Sequence, residues 1–305
     1  MAIDRLRLGG NERSFSYRTP KWRISDVILL SILVIFSYPV YYQKPFERQF
    51  SLNDLTISHP YTLVERVSDT MLFVYSLVVP LIVVVAIGFA MADSRHRNYL
   101  VYISVLGLLV TWFSTTLFTN FIKNWIGRLR PDFLDRCQPK ANLPLNIMFY
   151  ASEVCTNENS SLLLDGFRTT PSGHSSASFA GLGYLQLWLS GQLLIKYDQV
   201  GFWRTYVAML PLLGASLIAL SRTQDYRHHF IDVLIGSVLG YWIAYSTYRR
   251  YFPALGSSLP FKPLLDDSKV GLVEEAPMSP QQQSIITRTA DEEMQPLTDD
   301  ENVGI

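Results

Sequence analysis

The sequence predicts an all-α, polytopic membrane protein, a bundle of six transmembrane helices, and three observations carry that expectation. Apolar residues make up 49% of the 305-residue chain, and they fall in six blocks of roughly 20 residues, the length a helix needs to cross ~30 Å of hydrocarbon. Charge is scarce within the blocks and dense between them. Backbone polar groups inside a bilayer must be satisfied within their own segment, which selects helices over isolated strands.

The blocks lie near Val27–Tyr42, Met71–Met91, Tyr99–Ile122, Ser175–Leu194, Trp203–Leu220 and Phe230–Tyr248. The first is the shortest. No small-residue cleavage pattern follows it, so it reads as a retained span rather than a signal peptide. Pro80 and Pro211 fall inside spans, where each removes a helix hydrogen bond and predicts a kink. Any one block could be a buried helix of a soluble protein. Six in succession argue against that.

The formal net charge is zero, so nothing favours nucleic acid or a polyanionic partner. The zero hides an asymmetry. Arg5, Arg7, Arg13, Arg18, Lys21 and Arg23 crowd the N-terminus against Asp4 and Glu12. Counting spans puts Arg95, Arg97, Lys196, Arg204, Arg249 and Arg250 on the same side. The positive-inside rule makes that side cytosolic. The expected organisation is a basic cytosolic N-terminus over 1–24, a six-span domain over 25–250 with a lumenal loop over 123–174, and a cytosolic acidic tail over 251–305. Loops 43–70 and 221–229 should share the lumenal side. From about Ser257 the tail is polar and rich in Pro, Gln, Asp and Glu, a composition that predicts disorder. Ser279-Pro280 and the acidic stretch after Thr298 are candidate kinase sites, with a plain solvated tail as the competing reading.

The two cysteines, Cys137 and Cys155, are too few for a disulfide-rich scaffold or a cysteine zinc site. They share one loop on the lumenal side, where a disulfide between them competes with two free thiols. Asn159-Ser160-Ser161 in the same loop is an N-glycosylation sequon.

Polar groups gather at span ends. Lys123 ends the third span, and Arg130-Pro131 follows. His174 opens the fourth directly after Pro171-Ser172-Gly173. Ser221-Arg222 ends the fifth, and His228 and Asp232 open the sixth. Odd spans end and even spans begin on one side, so connectivity alone brings these groups to one membrane face. If the third helix runs past Lys123, a spacing of seven is close to two turns. Lys123 and Arg130 then share a face, Pro131 stops the helix, and Arg128 points elsewhere. His228 and Asp232 are four apart and can hydrogen-bond on a helix; His229, three apart from Asp232, competes, and helix geometry does not choose. Ser172 and Gly173 precede a helix N-terminus, where free N–H groups and the dipole favour an anion. With Lys123, Arg130 and Arg222, the constellation reads as a phosphate site with two histidines. Taken singly the parts are bland: basic residues at span ends usually anchor to headgroups.

The motifs together are specific. Lys123-x6-Arg130-Pro131, Pro171-Ser172-Gly173-His174 and Ser221-Arg222-x5-His228-x3-Asp232 resemble, in order and spacing, the three-part signature of the type 2 phosphatidic acid phosphatase superfamily. The resemblance extends from about Lys44 to Tyr251. It implies that His228 is the nucleophile, that Asp232 orients it, and that His174 is the general acid and base. Lys123, Arg130, Arg222 and backbone amides around Ser172 and Gly173 would hold the phosphoryl oxygens, with no metal and no cofactor. It also implies membrane lipid phosphates as substrates. The strings from Gly127 to Cys137 and from Asp165 to Thr170 resemble the fungal diacylglycerol pyrophosphate phosphatases of the vacuole membrane. That implies removal of the β-phosphate to give phosphatidate, then dephosphorylation to diacylglycerol. Competing readings are a sphingoid-base or lysophosphatidate phosphatase, a vanadium haloperoxidase, and a non-enzymatic lipid transporter, scramblase or inactive scaffold. Six lipid-facing spans oppose the haloperoxidase. Charges at span ends rather than mid-span oppose the transporter. The sequence leaves oligomeric state open.

Overall fold

The computed structural model describes residues 22–272. Arg5 to Lys21, Ser279-Pro280 and the stretch after Thr298 lie outside the described residues. Two compact units divide the chain at Ser268; of the second, residues 269–272 are described and carry no regular element.

Among the described residues, six long helices make the first unit: α1 (Ile24–Tyr42), α2 (Asp69–Met91), α3 (Arg97–Ile126), α4 (Gly173–Gln192), α5 (Trp203–Gln224) and α6 (Phe230–Tyr251). Five of them are long and apolar enough to cross a membrane, and α4 is not among these. The reason is its place in the bundle. It packs against α2, α3, α5 and α6, and seventeen of its twenty residues are buried. A helix wrapped by protein meets little lipid, so it can carry Ser, Gly and Gln where the outer helices carry Ile, Leu and Phe. Several of those polar groups are paired inside the bundle. Trp188 Nε1 donates to Ser104 Oγ at 2.7 Å, Thr119 Oγ1 to Ser176 Oγ at 2.8 Å, and Tyr241 OH to Gln186 Oε1 at 3.2 Å. α1 is the opposite case. It packs on α3 and buries only Leu33.

Helix α2 widens to a π turn over Val74–Val78 just before Pro80. Pro80 has no N–H to give the Ser76 carbonyl, and a wider turn relieves the ring's clash with the preceding turn. The α4–α6 contact is close because Gly240 has no side chain: a Cβ there would stand 2.1 Å from the Ser176 carbonyl oxygen.

Two regions depart from expectation. Helix α3 stops at Ile126, capped by Gly127 in the left-handed conformation with φ 60°, rather than at Pro131. Glycine takes that conformation without a Cβ penalty, so Arg130 lies on the following loop. The second departure is the proximal tail. Residues 252–268 pack on the bundle instead of dispersing. Leu264 N donates to Tyr251 O at 2.9 Å, Gln192 Nε2 to Phe261 O at 3.0 Å, and buried His96 meets the Asp266 carboxylate at 3.1 Å. Composition predicted disorder because it averages over a segment whose few apolar and turn residues find sites on the bundle.

At the opposite end, the α1–α2 and α3–α4 connections fold together. Strand β1 (Phe50–Ser51) pairs antiparallel with β2 (Met148–Phe149). Phe133 stacks edge-on between Phe50 and Phe167, each 4.8 Å away, in a small core with Ile57, Leu129, Ala151 and Val154. Cys137 and Cys155 are joined as a disulfide within it.

Candidate active site

One pocket of about 910 Å³ lies at the helix ends on the side of this second core. Lys123 reaches it from the last turn of α3, His174 from the first turn of α4, Arg222 from the last turn of α5, and Arg130 and His228 from loops. All five side chains are buried. The outer part of the pocket is lined by Tyr41, Tyr42, Leu72, Phe73 and Trp112.

Each cation is held from behind. Lys123 Nζ donates to Arg168 O at 2.8 Å and rests against Gly173. Arg130 donates from Nε to Asp165 O at 2.9 Å and from Nη2 to Asp165 Oδ1 at 2.8 Å. Arg222 donates from Nη1 to Glu65 Oε2 at 2.7 Å, and from Nη2 to Asp225 Oδ2. Burial alone would raise the Asp165 carboxyl, but Arg130, Arg136 and Lys123 outweigh it and hold the group at about 2. It therefore stays charged and keeps Arg130 and Arg136 in place.

The two candidate histidines differ in what their nitrogens face. Nδ1 of His229 is 3.1 Å from Asp232 Oδ2, and its Nε2 is 3.2 Å from Thr56 O. Both nitrogens are taken up by protein acceptors, and His229 is not among the residues lining the pocket. His228 lines the pocket and its Nδ1 lies 3.1 Å from Thr169 Oγ1. Burial, then the charges of Lys123 and Arg130, press its imidazole well below the ordinary 6.5. A neutral ring is the nucleophilic form.

Three site expectations change. Asp232 makes no direct bond to His228. Its carboxylate accepts from Arg128 Nη1 at 2.9 Å, Thr169 Oγ1 at 2.9 Å, Thr170 Oγ1, and the backbone N–H of His229 at 2.9 Å. His228 precedes the first turn of α6, so helical spacing does not apply to the pair. Arg128 does not point away: with α3 ended at Gly127, it turns back to Asp232. Ser172 N–H is not free for an anion, because it donates to Asp232 O at 2.9 Å; Ser172 Oγ caps α4 by accepting from Ser175 N at 3.4 Å. Gly173 and His174 are the parts of that turn that line the pocket.

His174 Nε2 lies 3.0 Å from Val67 O, 3.1 Å from Arg222 Nη1 and 3.8 Å from Asp69 Oδ1. Glu65, Asp69, Asp165 and Thr169 were not singled out from the sequence. Glu65 and Thr169 lie on loops, Asp69 starts α2 and Asp165 ends the short helix Ser160–Asp165; the fold brings them to the site. The loop carboxylates near the motifs are engaged elsewhere: Asp132 with Arg136 at 2.9 and 3.0 Å, Asp135 with Tyr61 N at 2.7 Å, Asp225 with Arg222. Among the described residues, no group of three or more His, Cys, Asp or Glu is placed to hold a metal ion. Asn159 is exposed, and its Oδ1 caps the short helix Ser160–Asp165 by accepting from Leu162 N at 3.1 Å.

A helical membrane bundle whose ends gather buried cations and histidines around one pocket belongs to the class of membrane phosphatases. Comparison with known proteins narrows the class. The PAP2 superfamily profile matches residues 104–255. Diacylglycerol pyrophosphate phosphatase 1 of Saccharomyces cerevisiae is 61% identical over 280 residues, covering 92% of this chain and 94% of that protein. A protein of Schizosaccharomyces pombe named probable diacylglycerol pyrophosphate phosphatase 1 is 40% identical, over 77% of this chain and 83% of its own. Lipid phosphate phosphatase 2 of Arabidopsis thaliana is 33% identical, over 81% and 84%. No solved structure gives a significant match. The chain belongs to the PAP2 superfamily.

Proposed function

We propose that this chain removes the β-phosphate of diacylglycerol pyrophosphate to give phosphatidate, and dephosphorylates phosphatidate to diacylglycerol, by two-step transfer through His228. The observation that carries the reading is one pocket lined both by His228, His174 and three buried cations and by Tyr41, Tyr42, Phe73 and Trp112. The first set suits a phosphoryl group, and the second suits the glycerol and acyl part of a membrane lipid. The 61% identity to the Saccharomyces cerevisiae protein supports the pyrophosphate substrate.

In the first step, Nε2 of His228 attacks phosphorus and the bond from phosphorus to the leaving oxygen breaks. Lys123, Arg130 and Arg222 take up charge on the phosphoryl oxygens. His174 gives the leaving oxygen a proton where it needs one. In the second step, a water loses its proton to His174 as its oxygen bonds to phosphorus. The P–N bond breaks and His228 is restored.

The same reading covers orientation. Basic residues Arg95, Arg97, Lys196, Arg249 and Arg250 flank the helix ends away from the pocket, which supports a cytosolic position for them and for both termini. The pocket, Asn159 as a glycan acceptor and the disulfide then face the lumen, in keeping with a vacuolar membrane. The six-helix region 25–250 is the phosphatase domain of this arrangement.

The deciding experiment assays phosphate release by purified protein in mixed micelles with EDTA present. The panel holds diacylglycerol pyrophosphate, phosphatidate, lysophosphatidate and a sphingoid-base phosphate. Fastest release from the pyrophosphate is expected. A faster sphingoid-base phosphate would move the assignment within the superfamily, and no release from any of the four would overturn it.

A further inference from the structure

We infer that Thr169 is a positioning residue, the hydrogen-bond link through which Asp232 holds His228 with its proton on Nδ1. The inference rests on His228 as nucleophile and adds the device that prepares it.

Thr169 Oγ1 lies 3.1 Å from His228 Nδ1 and 2.9 Å from Asp232 Oδ2. A hydroxyl has one proton to donate, and an ionised carboxylate only accepts. Asp232 is kept as a carboxylate partner by Arg128 at 2.9 Å, by Thr170, and by the His229 amide. The Thr169 proton therefore points to Asp232. What Thr169 turns toward His228 is a lone pair, so the proton of that contact comes from Nδ1. A neutral imidazole protonated on Nδ1 has its lone pair on Nε2, the nitrogen left for phosphorus.

The link is rigid. Thr169 and Asp232 are fully buried. Thr169 N–H is tied to Arg128 O at 3.2 Å, while the Arg128 side chain reaches the same carboxylate. A β-branched residue has few χ1 choices, and this one is fixed from both sides. When Nε2 bonds to phosphorus the ring becomes cationic. The Nδ1–H to Thr169 to Asp232 path then brings a negative charge to bear on it without a direct contact. While Oδ2 takes the Thr169 hydroxyl, the same carboxylate also fixes the His229 amide and Arg128.

Three variants and one spectrum test this. Thr169→Val keeps the shape and removes the hydroxyl. It should slow phosphoenzyme formation in rapid-quench assays on the order of 10²-fold with a smaller change in KM. Thr169→Ser restores a hydroxyl and should recover most of that loss. The ¹⁵N spectrum of histidine-labelled protein in detergent reads the tautomer directly: His228, assigned by its absence in His228→Gln, should show a protonated Nδ1 and an unprotonated Nε2. In Thr169→Val that pattern should shift toward a mixture of tautomers. A Val variant as fast as the parent, a Ser variant as slow as Val, or a wild-type ring protonated on Nε2 each overturns the link. Failure of the underlying reading looks different: His228→Gln would itself retain turnover and acid-labile phosphate labelling.

Discussion

His228 sits beneath a group of positive charges that a phosphate would answer. Burial first, then Lys123, Arg130, His174 and Arg222, push its imidazole well below 6.5. That displacement has a stability consequence. The unfolded chain takes up the proton near its ordinary value, while the folded chain does not. Stability is present above that value and is lost as pH falls below it, because the unfolded state then binds more protons. Between about pH 7.5 and pH 5, the melting temperature of the wild type in detergent should fall more than that of His228→Gln. Parallel curves would show that His228 does not carry the effect. His174 belongs to the same scale. Phosphatidate leaves diacylglycerol pyrophosphate as a stable anion, whereas an alkoxide leaving phosphatidate needs a proton. His174→Ala should therefore slow single-turnover hydrolysis of phosphatidate by about 10²–10⁴-fold and that of the pyrophosphate by far less. Equal losses on the two substrates would remove His174 from leaving-group protonation.

At the scale of elements, the sequence was readable where physics is local. Lys123, His174, Arg222 and His228 meet because spans alternate in direction, and counting them sufficed. The five outer helices were legible because lipid demands apolar residues on every face it touches. Arg128 and Arg130 were misplaced because a glycine cap three residues before Arg130 competes with the proline after it, and the cap acts first. Asp165 and Thr169 fall in a string that carries the resemblance, but their roles, like that of Glu65, left no trace, because a residue outside the spans that crosses the fold to its partner has no periodic signal. The α4–α6 contact was equally hidden, and it is testable. A methyl group at Gly240 would stand 2.1 Å from backbone Ser176 O, so Gly240→Ala must push α6 off α4. Overpacking of this kind costs ~1–3 kcal/mol. The melting temperature in detergent should drop, with kcat falling as Asp232 on α6 moves from Thr169. Val238→Ala, on the exposed face of the same helix, should change neither. A Gly240→Ala protein as stable as the parent would mean that the two helices are looser than they stand here.

For the whole molecule, the membrane turns helix count into a claim about sides. Helix α4 has 20 residues, about 30 Å of rise, and it begins at the pocket with His174. The loop after it, with exposed Asp198, is therefore a membrane's width from the loop that holds exposed Leu145 and the disulfide. The native cysteines are paired with each other, so new cysteines can report on access. In sealed vesicles, a membrane-impermeant maleimide should label Leu145→Cys and Asp198→Cys exclusively: one from outside, the other only after the membrane is opened. Hydrolysis must follow the first. Diacylglycerol pyrophosphate supplied to the outer leaflet should be consumed only in vesicles where Leu145→Cys is labelled from outside. Labelling of both positions from one side would mean that α4 does not cross. Hydrolysis tracking Asp198→Cys would place the headgroup site at the other face, which no arrangement of these helix ends allows.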